Sequence, residues 1–182
     1  MRILVMLISM FGIAGCDSKP STTAFIRATA DTSTLRQQAE AMATATLARD
    51  NAAVVDRMHP KAVAASGGRA RVIEQLEQTQ KDMDADKVKM SAFEIGAMGK
   101  LSMAGETGYV VIPTIYRFTD PAKIGEIESF LLAITDDGGK KWMFADGGGL
   151  KNPALRNAVF DNLPAGLQFP ESRPAVFTDV AK

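Results

Sequence analysis

Hydrophobic and polar positions divide the chain into a helical first half and a strand-forming second half. Residues 34–49 carry apolar side chains at helical spacing, and Thr34 followed by Gln37 matches the capping-box pattern at the start of a helix. The Asp50-Asn51 pair then predicts a break, because both side chains compete for backbone hydrogen bonds. The apolar face of this first helix comprises Leu35, Ala39, Met42 or Ala43, and Leu47.

Two further helices are predicted before the pattern changes. A short second helix over residues 52–58 ends at His59-Pro60, because the residue before a proline avoids the helical region. A loop at Ser66-Gly67-Gly68 precedes a third helix over residues 69–83, with charges opposite its apolar face. That face comprises Val72, Ile73, Leu76, Gln80 and Met83.

From Val88 onward the chain shows the period of two that is typical of strands. The run Asp136-Asp137-Gly138-Gly139 predicts a hairpin turn. Pro113 cannot donate a ladder hydrogen bond, so it marks an edge or a bulge of its strand. The predicted strands lie within residues 88–98, near 101–103, and over 109–118, 124–135 and 141–146.

The strand of residues 109–118 alternates between two faces. One face carries Val110, Ile112, Thr114, Tyr116 and Phe118, and the other carries Tyr109, Val111, Pro113, Ile115 and Arg117. Helices followed by antiparallel strands predict an α+β fold with helices on one face of a sheet of about four strands. Residues 150–182 predict a short helix around residues 153–160 and then an extended tail.

The first fifteen residues have the pattern of an export signal. Arg2 precedes an apolar run over residues 3–13, which is too short for a membrane span of about 20 residues. The following Ile13-Ala14-Gly15-Cys16 resembles the lipobox of bacterial lipoproteins. That resemblance implies a diacylglycerol on the Cys16 thiol and cleavage before this residue, so that acyl chains bind the membrane. Residues 16–33, small and polar, predict a tether.

The alternative for this segment is an ordinary cleaved signal peptide with a chance cysteine at the cleavage site. Cys16 is the only cysteine in the chain, which favours lipidation because an unpaired thiol in an exported protein is reactive. The mature domain is therefore expected to contain no disulfide. In lipoproteins of enteric bacteria, an aspartate in the position of Asp17 resembles a retention mark for the inner membrane. The protein is therefore expected to be anchored by its lipid on the periplasmic side, with the inner membrane favoured over the outer one.

Composition excludes several classes of partner and site. The 21 basic and 21 acidic residues balance, and no Lys/Arg cluster indicates nucleic acid. Gly147-Gly148-Gly149 lacks the flanking residues of a phosphate loop. Met90, Met98 and Met103 show no repeated copper-binding spacing, so we expect no cofactor and no metal, with these methionines filling the core.

The order of elements resembles the nuclear-transport-factor-2-like superfamily, in which three helices precede long bent strands. The likeness covers residues 34–149 and includes the Trp142, Phe144 and Asp146 alternation. His59-Pro60, Gly67-Gly68 and the Leu-Ala-Ile-Thr-Asp-Asp-Gly-Gly-Lys-Lys-Trp segment of residues 132–142 are similar to an uncharacterised bacterial group, with one extra residue in the turn. The resemblance implies a cone-shaped α+β fold and leaves function open, since this superfamily contains enzymes, binding modules and assembly domains.

Three residues are candidates for acid–base chemistry in the expected cavity. His59 is the only histidine, but a helix-terminal role is favoured over a catalytic one. Tyr116 is the better placed of the two tyrosines, and filling the core is its alternative role. Asp146 precedes three glycines, where aspartate usually forms a turn. Arg117, Glu126 and Glu128 are expected to face solvent.

The favoured hypothesis is a non-catalytic, lipid-anchored binding or assembly module outside the cytoplasm, with an unknown ligand or protein partner. The alternative is a small cavity enzyme of the isomerase or hydro-lyase type, using Tyr116 with His59 or Asp146. A homodimer through an open sheet face is a further prediction, and would place Tyr109, Val111 and Ile115 between subunits.

Overall fold

The computed structural model of the chain describes residues 29–171 and 173–179. It has the predicted α+β class, with helices before a curled antiparallel sheet. The predictions for residues 1–15, for Cys16 and for the tether up to residue 28 lie outside the described residues. The elements are α1 (Leu35–Leu47), α2 (Asn51–Val55), α3 (Pro60–Ala65), α4 (Arg69–Ala85), β1 (Lys89–Ile95), β2 (Ser102–Ala104), β3 (Thr107–Thr119), β4 (Lys123–Thr135), β5 (Met143–Asp146), α5 (Gly147–Leu150), α6 (Pro153–Val159) and β6 (Val176–Asp179).

Two long strands form the centre of the sheet. β3 and β4, each of 13 residues, pair antiparallel from Gly108 opposite Thr135 to Thr119 opposite Ile124. Each outer edge then carries two short strands, with β1 and β2 along β3, and β5 and β6 along β4. Among the described residues the sheet therefore has six strands, where the sequence predicted about four.

Pro113 lies where the edge of β3 is left without a strand, between β1 and β2. The Gly96 amide donates to the Pro113 carbonyl at 2.8 Å, and the Gly99 amide donates to the Val111 carbonyl at 3.0 Å. A side chain at Gly99 would place its Cβ 2.3 Å from that Val111 oxygen, so the close approach requires glycine. Pro113 thus occupies a local edge inside an otherwise paired strand, as its missing amide predicted.

Helices α1, α2 and α4 cover one face of the sheet, and we call this side the inner layer. α1 contributes Leu35, Ala39, Met42 and Ala43 to a core that includes Val110 and Ile112 of β3. The predicted apolar face of α1 is confirmed except for Leu47, which is 42% exposed. The predicted face of α4 is also confirmed, although only Val72 is fully buried.

The structure corrects the helix count and one helix end. α2 ends at Val55, and Pro60 begins the separate helix α3, so from residue 29 onward four helices precede the sheet instead of three. Proline is favoured at a first helical position because its missing amide is not needed there. The predicted capping box is wrong, since Thr34 makes no side-chain cap bond and its hydroxyl instead accepts from Gln38 Nε2 at 2.8 Å.

The C-terminal segment covers the opposite face of the sheet, which we call the outer layer. Tyr109, Val111 and Phe130 on this face pack with Leu150 and Phe160, and with the half-buried residues Leu163, Leu167 and Phe169. The helix predicted around residues 153–160 is confirmed as α6, and the tail adds β6 to the sheet.

The folded body includes residues on both sides of the segment 34–149. The structure packs the residues after 149 on the same sheet as residues 34–149. At the other end, Ala30 is buried in the inner core, and the Asp31 amide donates to the Gly138 carbonyl at 2.8 Å. Residues 30–33, predicted as the end of the tether, therefore belong to the folded body.

Candidate functional site

Tyr116 and Asp146 lie together on the inner face of the sheet. The Tyr116 hydroxyl donates to Asp146 Oδ2 at 2.8 Å, and the Tyr116 ring contacts Phe93 at a centroid distance of 4.4 Å. Asp146 Oδ1 accepts from the Gly148 amide at 2.7 Å and so caps the short helix α5. The turn-forming role expected for Asp146 is thus present, and it coexists with the contact to Tyr116.

The surroundings of Tyr116 keep its hydroxyl protonated. Burial raises the pKa of Tyr116 well above its ordinary value, and the negative charge of Asp146 and the hydrogen bond to it raise it further. The hydroxyl therefore acts as a donor whose proton already has an acceptor. Both oxygens of Asp146 are likewise engaged, so neither residue is poised as a free base.

Two polar residues beside this pair were missed by the sequence analysis as site residues. Thr114, two positions before Tyr116 on the same face, is 2% exposed, and its hydroxyl lies beside the Tyr116 hydroxyl, where it lowers the pKa of Tyr116 against the larger effect of burial. Ser129 pairs with it across β3 and β4 and is 8% exposed. A threonine or serine in a strand is common enough that its pattern alone carries no signal, because burial of the hydroxyl depends on which helices cover it.

His59 has a different environment, in the outer layer. It is the N-cap of α3, where its Nδ1 accepts from the Lys61 amide at 3.2 Å, so the expected position at the end of the second helix is wrong. Its ring contacts Phe160 edge-on at 5.3 Å. Burial lowers the pKa of His59, while nearby Asp136 raises it and Lys61 lowers it.

The structure brings two of the three candidates together and separates the third. Tyr116 packs against the inner core, whereas His59 packs on Phe160 of the outer core. The neutral imidazole of His59 is used in capping a helix. A catalytic arrangement of Tyr116, Asp146 and His59 around one pocket is therefore not formed.

The remaining charged candidates form ion pairs in partly exposed positions. Arg117 pairs with Glu94 and, at 3.1 Å, with Glu126. Glu128 pairs with Arg173 at 3.2 Å. These contacts fit the solvent-facing roles expected for Arg117, Glu126 and Glu128, and exposed ion pairs of this kind contribute little stability.

The methionines and Trp142 fill the core. Met90, Met98 and Met103 are half-buried against the inner cluster, as expected for core-filling residues. Trp142 is 1% exposed, and its Nε1 is buried with no partner in the described part of the chain. Within residues 29–171 and 173–179, no group of three or more His, Cys, Asp or Glu side chains is arranged to hold a metal ion.

Among five cavities lined by described residues, the one with the greatest volume lies at the outer layer. It has a volume of about 530 Å³ and is formed between residues 97–102, the β3 residues Val111 and Pro113, and residues 166–170 of the C-terminal segment. Apart from Lys100, its lining side chains are uncharged. Neither Tyr116, Asp146 nor His59 lines any of these five cavities.

The sheet face expected to be open is covered by the chain itself. Tyr109 and Val111 are each 7% exposed, because the C-terminal segment packs over them. Ile115, on the same face, is half-buried. The homodimer remains a prediction, but it requires a surface other than the one first assigned to it.

Within the described residues, no helix has the length and apolar character needed to cross a membrane. Comparisons with protein-family models, curated proteins and solved structures gave no match for this chain.

Proposed function

We propose that the protein is a lipid-anchored binding module on the periplasmic side of a bacterial membrane. The observation that carries the binding role is the 530 Å³ cavity under the C-terminal segment. Its volume lies in the range of about 300–1,000 Å³ that is usual for small-molecule sites. Its walls are mainly apolar, with Lys100, Ser102 and Gln168 as the polar side chains that would orient a ligand.

The anchor part of the proposal rests on the N-terminal sequence. Cys16 follows the lipobox-like Ile13-Ala14-Gly15, and Ala30 is the first core residue in the described part of the chain. The intervening residues 17–29 can span at most about 45 Å when fully extended. A lipid on Cys16 would thus hold the binding cavity close to the membrane surface without any protein segment crossing it.

The geometry of the ionisable residues favours binding over catalysis. General acid–base catalysis needs a group that can exchange a proton with the substrate. The Tyr116 hydroxyl donates a hydrogen bond to Asp146, and His59 caps a helix in the outer layer. The alternative, a small isomerase or hydro-lyase, would have to use Tyr116 and Asp146 without His59 and would first have to displace their mutual hydrogen bond.

Membership of the nuclear-transport-factor-2-like superfamily is part of the proposal. Its support is the order of elements, with helices first and then a curled antiparallel sheet. The fold resemblance alone assigns no ligand, so the chemistry of the cavity has to be tested directly.

The anchor is tested by intact mass spectrometry of the protein extracted from its host membrane. We expect a mature chain that begins at Cys16 and carries added diacylglycerol and acyl mass. Cys16→Ser should abolish this added mass and release the protein from the membrane fraction. A soluble wild-type protein without added mass would refute the anchor.

The binding role is tested by native mass spectrometry of the protein purified gently from the same source. We expect an added mass that disappears in Ala97→Trp, whose larger side chain would fill the cavity. Ala41→Trp is the matched control, because Ala41 lines a separate cavity beside α1. Identical spectra for wild type and Ala97→Trp, with no adduct in either, would refute a ligand cavity.

A further inference from the structure

A second cavity of the outer layer has a charged rim over an aromatic floor. It has a volume of about 360 Å³ and shares Pro170 as a lining residue with the larger cavity. Phe130, which is 1% exposed, and Phe169 form the floor, with ring centroids 5.4 Å apart. The charged residues that line it are Lys151, Arg156 and Glu171.

Arg156 is held in this cavity by an aromatic ring instead of an acidic partner. Its guanidinium carbon lies 4.0 Å from the centre of the Phe169 ring. Nη1 makes one long hydrogen bond of 3.4 Å to the Leu150 carbonyl, and the buried Nε has no partner among the described residues. Stacking on the ring orients the guanidinium and leaves its positive charge without a carboxylate.

Lys151 adds a second positive charge that is also without a carboxylate. Its Nζ donates to the Glu128 carbonyl oxygen at 3.3 Å, while the Glu128 carboxylate is paired with Arg173. Within the described residues, neither Lys151 nor Arg156 takes part in an ion pair, in contrast to Arg49, Arg69 and Arg117. Two unpaired cations therefore converge on one cavity.

Glu171 lines the same cavity and has to be included in its charge. Its carboxylate lies outside ion-pair distance of both cations, and the residue is exposed. The three side chains together leave a net charge of about +1, which favours an anion and disfavours a cation. An anion between the two cations would supply the carboxylate or similar acceptor that both lack.

We propose that this cavity binds a carboxylate attached to an aromatic ring. The carboxylate would lie between Lys151 and Arg156, whose planar guanidinium suits two parallel hydrogen bonds to such a group. The attached ring would lie against the edge of the half-buried Phe169 ring and against Pro170, where apolar and edge-to-face contacts are available. This site is separate from the larger cavity and does not depend on the lipid anchor.

The test is isothermal titration of the full protein, solubilised in a non-ionic detergent, with benzoate. Benzyl alcohol, which has the ring without the charge, and inorganic phosphate, which has the charge without the ring, are titrated in parallel. We expect benzoate to bind at least about tenfold more tightly than either, as expected for charge-assisted hydrogen bonds combined with ring contacts. Equal binding of benzoate and benzyl alcohol, or of benzoate and phosphate, would overturn the proposal.

Three variants locate the binding to this cavity. Arg156→Gln should weaken benzoate binding about tenfold, whereas Arg173→Gln, which removes an ion-paired arginine outside the cavity, should leave it within about twofold. Glu171→Gln should strengthen binding, because it removes the one negative charge of the cavity. Because misfolding cannot increase affinity, tighter binding in Glu171→Gln would support the assignment. Unchanged binding in both Glu171→Gln and Arg156→Gln would contradict it.

Discussion

The two faces of the sheet are covered in different ways. On the inner face, the regular helix α1 places Leu35, Ala39 and Met42 at helical spacing against the strands. On the outer face, an irregular segment that contains Pro164 and Pro170 attaches by separate apolar side chains such as Phe160 and Phe169. Both cavities that border Pro170 lie on this outer face.

The difference indicates how a covering segment determines where a ligand can bind. A helix presents a continuous row of side chains, which fills the space above a sheet closely. A segment without regular structure contacts the sheet only where a large side chain points inwards, and grooves remain between these contacts. Cavities also lie beside the helices, but the one with the greatest volume lies under the irregular segment. The inner layer contains more of the buried core, so we expect it to contribute more to stability, and the two proposed binding sites lie in the outer layer.

The largest expected effect comes from truncating matched leucines in the two layers. Leu35→Ala in the fully buried inner core should lower the free energy of unfolding by about 3 kcal/mol, because it leaves a cavity. Leu167→Ala in the half-buried outer layer should lower it by about 1 kcal/mol. Urea unfolding of both variants measures the difference, and equal losses would refute the ranking of the layers.

Gln38 is expected to attach the inner layer to the end of the sheet. Its Oε1 accepts from the Trp142 amide at 2.8 Å, and its Nε2 donates to Thr34 and to the Lys140 carbonyl. Gln38→Ala should therefore cost about 1–2 kcal/mol of unfolding free energy. Gln37→Ala is the matched control, since Gln37 is exposed and should be neutral. A larger loss for Gln37→Ala would restore the capping box that the sequence predicted.

His59 should make the outer layer sensitive to acid. Because burial lowers the pKa of His59 below its ordinary value of 6.5, the unfolded chain takes up a proton first as the pH falls. The contribution of the neutral ring to the free energy of unfolding is fully present above pH 6.5, and it is lost as the pH falls towards the lowered pKa of His59. The loss from this residue cannot exceed about 1.4 kcal/mol per pH unit.

The acid sensitivity is measured by urea unfolding between pH 7.5 and pH 5. His59→Asn keeps a side chain that can cap α3 and removes the titrating group. The difference in unfolding free energy between wild type and variant should shrink as the pH falls. If that difference is constant over this range, His59 does not titrate in the way its burial requires.

The smallest effect should come from the hydroxyl of Tyr116. Tyr116→Phe removes the hydrogen bond to the exposed Asp146 and should lower the free energy of unfolding by about 0.5–1.5 kcal/mol. Asp146→Ala should cost more, because it also removes the cap of α5. Ligand binding in the outer layer should be unchanged in Tyr116→Phe, and its loss would place the ligand in the inner layer.

The sequence by itself determined the elements whose pattern is local. The apolar period of residues 34–49 predicted α1, and the alternation of residues 109–118 assigned Val110, Ile112 and Tyr116 to one face and Tyr109 and Val111 to the other. Pro113 was also assigned correctly to an edge, because the lack of an amide is a property of the residue itself.

Only the tertiary structure decided which chain segment covers each face. Period-two alternation shows that Tyr109 and Val111 share a face, but the burial of that face depends on Phe160, Leu167 and Phe169, which lie 50 or so residues away in an irregular segment without a detectable period. For the same reason, the sequence offered Asp146 as a partner of Tyr116 only as one of two alternatives, the other being His59. The use of Gln38 instead of Gln37 likewise depends on a long-range contact with Trp142, and the packing of the His59 ring depends on Phe160.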